Sequence, residues 1–161
     1  MHNRPIMGVE IERKFLVAGD AWRRDVTALR TLRQGYLSSG ATPAVRIRTD
    51  GQTAWLTIKT GGQGVIRAEF EYSIPVSDAE ELLKACDGRV IGKVRHIVPH
   101  GGHQWEIDVF DGKNAGLVLA EIELDAEHEE FVRPPWIGTE VTGDPRYYNS
   151  SLAAQPMAQG G

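Results

Sequence analysis

Charged and apolar residues alternate along several short stretches of this chain, and this alternation limits the possible fold more than any other feature. In the stretch Glu10-Ile11-Glu12-Arg13-Lys14-Phe15, the three charged residues Glu10, Glu12 and Lys14 lie two positions apart. Alternate side chains of a β-strand point to opposite faces, so these charges would share one face. The same alternation recurs at 45–48, 56–59, 66–72, 93–95, 105–109 and 120–124. The sequence therefore predicts strands that each have one charged face and one apolar face.

Turn-forming residues separate these stretches and indicate that neighbouring strands run antiparallel. Asp50-Gly51 and His100-Gly101-Gly102 each join two alternating stretches, as is typical of hairpins. We expect a mostly antiparallel sheet with strands at 7–17, 31–37, 44–49, 53–60, 65–74, 90–99, 103–110 and 117–124.

Short helices are predicted between and after the strands. Ser77 with Glu80 matches a capping box, which predicts a helix that begins at Ser77 and continues through Cys86. Asp125 predicts the cap of a short helix at 127–131, and Asp144-Pro145 predicts the start of a terminal helix over 146–154. We expect residues 155–161 to form a flexible tail.

Length and composition are typical of one domain, which we expect to span residues 1–161. The chain has 161 residues, 41% hydrophobic and 25% charged, with a net charge of −4. That charge is atypical of a general nucleic-acid binder, and no apolar run approaches membrane-spanning length. The single cysteine, Cys86, cannot form an intrachain disulfide. We expect a cytoplasmic monomer or homodimer with no nucleic-acid or membrane partner.

Two arrangements of the charged faces are consistent with the pattern. In an open sheet the charged face would lie in water, and salt bridges would neutralise it. Against this, the charges occur as same-sign pairs, such as Arg46 with Arg48, which destabilise a strand face unless opposite charges lie between them. About eight antiparallel strands can also close into a barrel. We therefore expect an α+β fold, an eight-stranded antiparallel β-barrel with a charged interior covered by a few short helices.

A charged tunnel of this kind predicts a polyanionic ligand together with divalent cations. Arginine and lysine side chains bind phosphate oxygens, and carboxylates bind hard cations such as Mg²⁺ or Mn²⁺. Neither set of charges could be buried alone, so each would need the other or a ligand. The expected ligand is a short polyphosphate. The basic set is Lys14, Arg46, Arg48, Lys59, Lys93 and Arg95, and the acidic set is Glu10, Glu12, Asp108, Glu121 and Glu123.

The order of these motifs resembles the CYTH superfamily, the triphosphate tunnel metalloenzymes. The stretch from Glu10 to Val17 is similar to the ExExK signature of that superfamily. The resemblance spans nearly the whole chain, through Gln34-Gly35-Tyr36-Leu37, Val45-Arg46-Ile47-Arg48, Thr57-Ile58-Lys59, Glu69-Phe70-Glu71-Tyr72, Lys93-Val94-Arg95, Glu106-Ile107-Asp108-Val109-Phe110, Ala120-Glu121-Ile122-Glu123-Leu124 and Arg146-Tyr147-Tyr148-Asn149. It implies a tunnel enzyme that uses a divalent metal and acts on triphosphate compounds. Small bacterial members with this opening look most like inorganic triphosphatases, which cleave tripolyphosphate to pyrophosphate and phosphate.

The resemblance also implies roles for individual residues. The six basic residues named above would bind the phosphates, with Lys14, Arg48, Lys59 and Asp108 as catalytic residues. Glu10, Glu12, Glu121 and Glu123 would hold the metal, with Asp108 beside it or sharing a second ion. Glu69 and Glu71 would orient basic residues. Arg146 would substitute for a lysine that some relatives carry where Tyr148 stands, and His96 would be structural.

Several activities remain open at this point. The leading expectation is metal-dependent hydrolysis by in-line attack of water on a terminal phosphorus, with no protein nucleophile. The alternatives are hydrolysis of thiamine triphosphate or of a nucleoside triphosphate. A further alternative is cyclase chemistry on ATP, as in class IV adenylyl cyclases. It is disfavoured because the chain has no evident extra segment that would recognise adenine. A non-catalytic polyphosphate-binding module would keep the basic residues but would not need all four metal-position glutamates.

Overall fold

The protein is a β-barrel closed by short helices, seen in a computed structural model that describes residues 8–38, 43–60 and 66–157. Within these residues the helices are Val76–Lys84 (α1) and Asn149–Ala154 (α2), with 3₁₀ turns at Ala21–Asp25, Gly112–Asn114 and Pro145–Tyr147. The strands are Gly8–Val17 (β1), Ala28–Tyr36 (β2), Ala44–Thr49 (β3), Ala54–Thr60 (β4), Ile66–Ile74 (β5), Val90–His100 (β6), His103–Phe110 (β7), Val118–Glu123 (β8) and Ile137–Glu140 (β9).

Eight of the strands close into an antiparallel barrel, which confirms the predicted fold. Their order is β5-β4-β3-β2-β6-β7-β8-β1, and β1 pairs again with β5 to complete the ring. The first half of β1, at Gly8 to Ile11, pairs with β5, whereas its second half pairs with β9 at Phe15 and Val17. Strand β9 was not predicted, because its four residues contain little alternation of charged and apolar side chains.

The pairing register determines which side chains share the barrel interior. Directly paired residues of antiparallel strands point to the same face. Glu12 of β1 therefore lies beside Glu123 of β8, and Lys14 lies beside Glu121. Their alternating neighbours, including Phe15, point outward into the hydrophobic core. The charged face predicted from the sequence is thus the inner wall of a closed barrel and not a solvated sheet surface.

One end of the barrel interior is apolar. Leu16 pairs with Leu119 on the inner face of β1 and β8. These two side chains pack with Leu152 of α2 in one hydrophobic cluster. The inward side chains of Tyr36, Ile91 and Phe110 belong to the same cluster. Helix α2 therefore closes this end of the tunnel by burying its apolar side chains inside the barrel.

The outer wall is covered by two further hydrophobic clusters. On one side, Trp22 of the first 3₁₀ turn and Trp136 before β9 pack with Phe15 and Trp105. On the other side, Ala79 and Leu83 of α1 pack on outward-facing residues of β3 and β4, Ile47 and Ala54. The short helices and one long loop thus supply the cover that the apolar outer faces need.

Two details of the helix predictions are wrong. Helix α1 begins at Val76 after Pro75, and no side chain caps it, so Ser77 does not act as the cap. The residues after Asp125 form turns and irregular backbone instead of a helix, although the Asp125 N–H donates to Glu129 Oε1. This loop places Phe131 at 5.7 Å from the Trp105 ring, so covering the barrel outweighs a weak local helix preference.

The terminal region is ordered slightly further than expected. The Asp144 side chain accepts a hydrogen bond from the Arg146 N–H, which confirms the predicted cap, although this turn is 3₁₀ and α2 begins only at Asn149. The Met157 N–H donates to Asn114 Oδ1 at 3.0 Å. Residues 158–161 of the predicted tail lie outside the described residues, and the single-domain assignment stays a prediction. Among the described residues, neither helix is long and apolar enough to cross a membrane.

The contact between β2 and α1 generates a testable prediction at Gly35. A Cβ added to Gly35 would lie 2.6 Å from Cys86 Sγ and 3.0 Å from Leu83 Cδ2. We expect Gly35→Ala to lower the free energy of unfolding by about 1–3 kcal/mol, because it overpacks this buried contact. Urea unfolding measures the change.

A double-mutant cycle provides the control. Cys86→Ala removes the sulfur, so Gly35→Ala should be less destabilising in that background than in the wild-type background. Equal effects in both backgrounds would contradict the packing explanation.

Candidate active site

The inner wall encloses a cavity of about 420 Å³ whose lining is mostly charged. The lining includes all six of the predicted basic residues, which come from β1, β3, β4 and β6. It also includes Glu10, Glu12, Glu121 and Glu123. Adjacent inner-face residues come from strands far apart in sequence, so closure of the barrel is what brings the predicted residues together.

A buried ion cluster lies at the centre of the β6–β7 wall. Arg95 donates to both carboxylate oxygens of Asp108, at 2.8 and 2.9 Å, and Lys93 Nζ lies 2.7 Å from Asp108 Oδ2. Lys93 and Asp108 are 0% and 1% exposed. Asp108 lies beneath the two basic residues and does not line the cavity. Its carboxylate therefore orients Lys93 and Arg95 from behind.

The pKa values of this cluster follow from its burial and its charges. Burial would raise the pKa of Asp108, but Arg95 and Lys93 lower it to about 2, so the carboxylate is ionised at neutral pH. Burial lowers the pKa of Lys93 to about 7, because Arg95 and Arg48 add to the desolvation effect and Asp108 offsets only part of it. Burial and the neighbouring Arg46 and Arg95 lower the pKa of Arg48 to about 9. Lys93 and Arg95 are thus matched by the two carboxylates of β7, Asp108 and Glu106, and Arg48 of β3 adds a further positive charge beside them.

On the wall formed by β3, β4 and β5, a second set of carboxylates contacts the cations Lys59 and Arg46. Lys59 Nζ lies 3.0 Å from Glu10 Oε1 and 3.9 Å from Glu69 Oε2. Arg46 Nη2 donates to Thr57 Oγ1 at 3.1 Å and lies 3.6 Å from Glu71 Oε2. Glu69 and Glu71 thus lie beside Lys59 and Arg46, and their role in orienting basic residues stays a prediction. Arg46 Nε is buried without a hydrogen-bond partner among the described residues, so its donor is not satisfied by the part of the protein that the structure describes.

Carboxylates gather where β1 meets β8. Burial raises the pKa of Glu12 well above its ordinary value, and Glu10 and Glu121 add to the increase. Burial would also raise the pKa of Glu121, but Lys14, Arg95 and Lys93 hold it well below its ordinary value, and Glu12 donates a hydrogen bond to it. Burial would raise the pKa of Glu10, but the nearby Lys59 outweighs burial and lowers it. Lys59 and Lys14 therefore offset the raised pKa of Glu12 only in part.

We call Glu10, Glu12, Glu121 and Glu123 the carboxylate corner. Their side chains are of the type that binds a divalent cation. Oxygen donors and an excess of negative charge are what Mg²⁺ and Mn²⁺ require. Within the described residues, no group of three or more His, Cys, Asp or Glu has the arrangement of a metal site. The donor set thus fits a cation in type and charge, and binding would require the carboxylates to converge.

Family and structure comparisons agree with the geometry of the tunnel. The CYTH domain family matches residues 8–151. The chain belongs to the CYTH family. It is 46% identical over 151 residues to an inorganic triphosphatase of Acetivibrio thermocellus, and the match covers 93% of this chain and 96% of that protein. It is 40% identical over 149 residues to an inorganic triphosphatase of Nitrosomonas europaea, covering 89% of this chain and 96% of that one.

Solved structures give the same fold. The crystal structure of the inorganic triphosphatase NE1496 has a TM-score of 0.64 and 38% identity to this CYTH chain, covering 89% of it and 93% of that chain. The structure of the PH1012 protein from Pyrococcus horikoshii OT3 has a TM-score of 0.59 at 19% identity, covering 74% of this chain and 80% of that one, and supports the fold alone.

The structure places one predicted residue of the CYTH chain away from the tunnel. Arg146 is exposed, and its Nη2 lies 2.7 Å from Asp144 Oδ2. Tyr148 lines the cavity instead, with the Arg67 guanidinium 5.1 Å from its ring. His96 stacks edge-on against Trp22 at 5.0 Å, outside the tunnel, in agreement with a structural role.

Three further residues of the CYTH tunnel were assigned no role from the sequence. Glu106 lines the cavity, pairs with Glu121 in the β7–β8 register and lies 3.4 Å from Arg95 Nη1. Its alternation with Trp105 and Ile107 placed it on the charged face of the 105–109 stretch, but it was not among the predicted site residues. Asn149 lines the cavity and Gln34 is buried on the inner face of β2, and alternation of charges gave no signal for either because neither is charged.

The pKa of Lys93 generates a prediction for stability against pH. Unfolded lysine keeps its proton to pH values near 10.4, whereas folded Lys93 loses it near 7, so the unfolded state binds more protons in between. Stability from this group therefore rises with pH above 7, by up to about 1.4 kcal/mol per pH unit. Lys93→Met should remove that rise, measured as the difference from wild type in urea unfolding at a series of pH values from about 7 to 9.

The control is Lys84→Met, because Lys84 lies on the exposed side of α1. This variant should keep the wild-type pH dependence. Parallel pH profiles for wild type and Lys93→Met would contradict the assignment.

Proposed function

We propose that this chain hydrolyses inorganic triphosphate to pyrophosphate and phosphate inside the tunnel, with a divalent metal as cofactor. One observation carries the proposal. Six basic side chains, from β1, β3, β4 and β6, line the same cavity of about 420 Å³ as the carboxylates of Glu10, Glu12, Glu121 and Glu123. The two CYTH relatives of 46% and 40% identity, both named inorganic triphosphatases, support the same substrate.

The basic residues bind and orient the phosphate chain. Arg46 and Arg48, which line the cavity from β3, suit phosphate oxygens. Lys93 and Arg95 line it from β6, and their shared carboxylate Asp108 fixes their direction from behind. In-line attack of water builds negative charge on the equatorial and leaving oxygens, and these cations stabilise that charge. No side chain of the tunnel needs to form a covalent bond.

Glu10, Glu12, Glu121 and Glu123 would hold Mg²⁺ or Mn²⁺, with Asp108 next to them. A bound divalent ion supplies positive charge that neutralises these carboxylates and polarises phosphate oxygens. Lys14, paired with Glu121 in the β1–β8 register and 3.7 Å from it, lies at the boundary between the metal and phosphate residues. The same proposal includes a cytoplasmic enzyme, active as a monomer or homodimer, with no nucleic-acid or membrane partner, and these points rest on composition alone.

A second candidate is hydrolysis of an organic triphosphate, either thiamine triphosphate or a nucleoside triphosphate. The half-buried Trp55 lines the cavity, and the Arg30 guanidinium lies 5.3 Å from its ring. Aromatic rings at a tunnel wall can stack on a heterocycle. This observation keeps the candidate open as a lesser activity.

Phosphate release from a substrate panel tests the proposed activity. We expect tripolyphosphate to exceed both ATP and thiamine triphosphate in kcat/KM by at least about tenfold, with either Mg²⁺ or Mn²⁺ present, since most side chains that line the cavity are charged and suit phosphates better than a heterocycle. Chelation of the metal should abolish release. Inert tripolyphosphate together with rapid cyclic AMP formation from ATP would contradict the proposal.

Variants of the carboxylates and cations test the division of roles. Glu10→Ala and Glu123→Ala should each lower kcat by at least about a hundredfold, because the proposed metal loses a ligand. Lys59→Ala should mainly raise KM, because it removes a phosphate contact. Glu81→Ala, on the exposed surface of α1, is the matched control and should leave both constants unchanged. Near-normal metal-dependent rates in both glutamate variants would show that the metal site is assigned wrongly.

A further inference from the structure

The segment that leads into α2 provides uncharged oxygens to two tunnel lysines. Lys14 Nζ donates to the backbone oxygen of Tyr147 at 2.9 Å. Lys93 Nζ donates to Asn149 Oδ1, also at 2.9 Å. When Lys93 is protonated its ammonium group only donates hydrogen bonds, so the amide oxygen of Asn149 must face it. The terminal segment therefore contacts the basic wall directly, in addition to closing the end of the barrel.

Gln34 extends this contact to a third cation. Its side chain is completely buried on the inner face of β2. Gln34 Oε1 accepts from Arg48 Nε at 2.9 Å, and Gln34 Nε2 donates to Tyr36 Oη at 2.9 Å and to Asn149 Oδ1 at 3.3 Å. A chain of hydrogen bonds thus runs from Arg48 on β3 through Gln34 and Asn149 to Lys93 on β6.

The neutrality of these acceptors matters for a tunnel that binds anions. A carboxylate would hold Lys93 or Arg48 equally well but would cancel charge that an anionic ligand needs. An amide oxygen fixes the direction of the donor and leaves its positive charge in place. The negative charge nearest Lys93, on Asp108, is already shared with Arg95 through two hydrogen bonds.

We propose that Asn149 and Gln34 are positioning residues, which hold Lys93 and Arg48 through uncharged acceptors so that both cations stay available to the phosphates of the substrate. The inference rests on the proposed function, since it takes a phosphate chain as the ligand. It adds two uncharged residues, one of them from outside the barrel strands, to a site otherwise built from charged side chains.

A purely structural role for Asn149 makes a different prediction. Asn149 is the first residue of α2, and aspartate at the start of a helix interacts favourably with the helix dipole. If Asn149 served only to begin the helix, Asn149→Asp would be neutral or stabilising. If its neutrality serves the tunnel, the same isosteric change would impair anion binding while the fold stays intact.

The test is tripolyphosphate binding by isothermal titration calorimetry without metal, together with steady-state hydrolysis with metal. Asn149→Asp should weaken binding and raise KM by at least about tenfold, with a smaller effect on kcat and an unchanged or higher Tm. Ser151→Asp is the matched control, because it adds the same charge to the same helix at a residue that does not line the cavity. It should bind as wild type does.

Two milder variants keep the test decisive if Asn149→Asp fails to fold. Asn149→Ala and Gln34→Ala should each raise KM several-fold, and Asn149→Ser, which restores an oxygen, should recover part of the loss. Equal binding by the Asn149→Asp and Ser151→Asp variants, or wild-type binding by both alanine variants, would overturn the inference. Wild-type binding without hydrolysis would overturn the proposed function alone, and no binding by the wild-type protein would overturn both.

Discussion

Every charge on the inner wall of this barrel must find a partner, because closure removes it from bulk water. The ion cluster of Arg95, Asp108 and Lys93 shows how this is achieved, with one carboxylate held by two basic residues and all three almost completely buried. Burial of a single member would be prohibitive, whereas the group is tolerated because each charge is hydrogen-bonded. The same constraint explains why Lys59 lies against Glu10 and why Arg46 lies near Glu71.

The pairing is incomplete in a way that points to function. Burial and neighbouring cations lower the pKa values of Lys93 on β6 and Arg48 on β3, so positive charges crowd on this side of the tunnel. At the junction of β1 and β8, burial and the neighbouring carboxylates of Glu10 and Glu121 raise the pKa of Glu12. The two sets of charges meet along one cavity, where Lys14 Nζ lies 3.7 Å from Glu121 Oε1. A cavity that holds crowded cations beside crowded carboxylates favours a ligand that carries both phosphate and metal.

The two ends of the tunnel differ, because apolar side chains fill one of them. Leu152 of α2 packs among Leu16, Leu119 and the other inward-facing apolar residues, so a ligand cannot pass freely through this end. The backbone oxygen of Tyr147 and the amide of Asn149 then contact tunnel lysines from the same side. Hydrophobic burial of α2 thus brings uncharged polar groups into a charged site without adding net charge.

The sequence by itself determined eight of the nine strands and the charged residues that form the inner wall. Alternation with a period of two identified Glu10, Glu12, Lys14 and the later charged pairs, because a side chain's face follows directly from its parity along a strand. Only the tertiary structure decided which strands lie side by side, and so which charges meet, because pairing register depends on closure of the whole barrel. The contacts of Asn149 and Gln34, the place of Arg146 on the surface and the apolar end closed by α2 belong to this second class. Each depends on packing between residues distant in sequence, and local pattern contains no information about such packing.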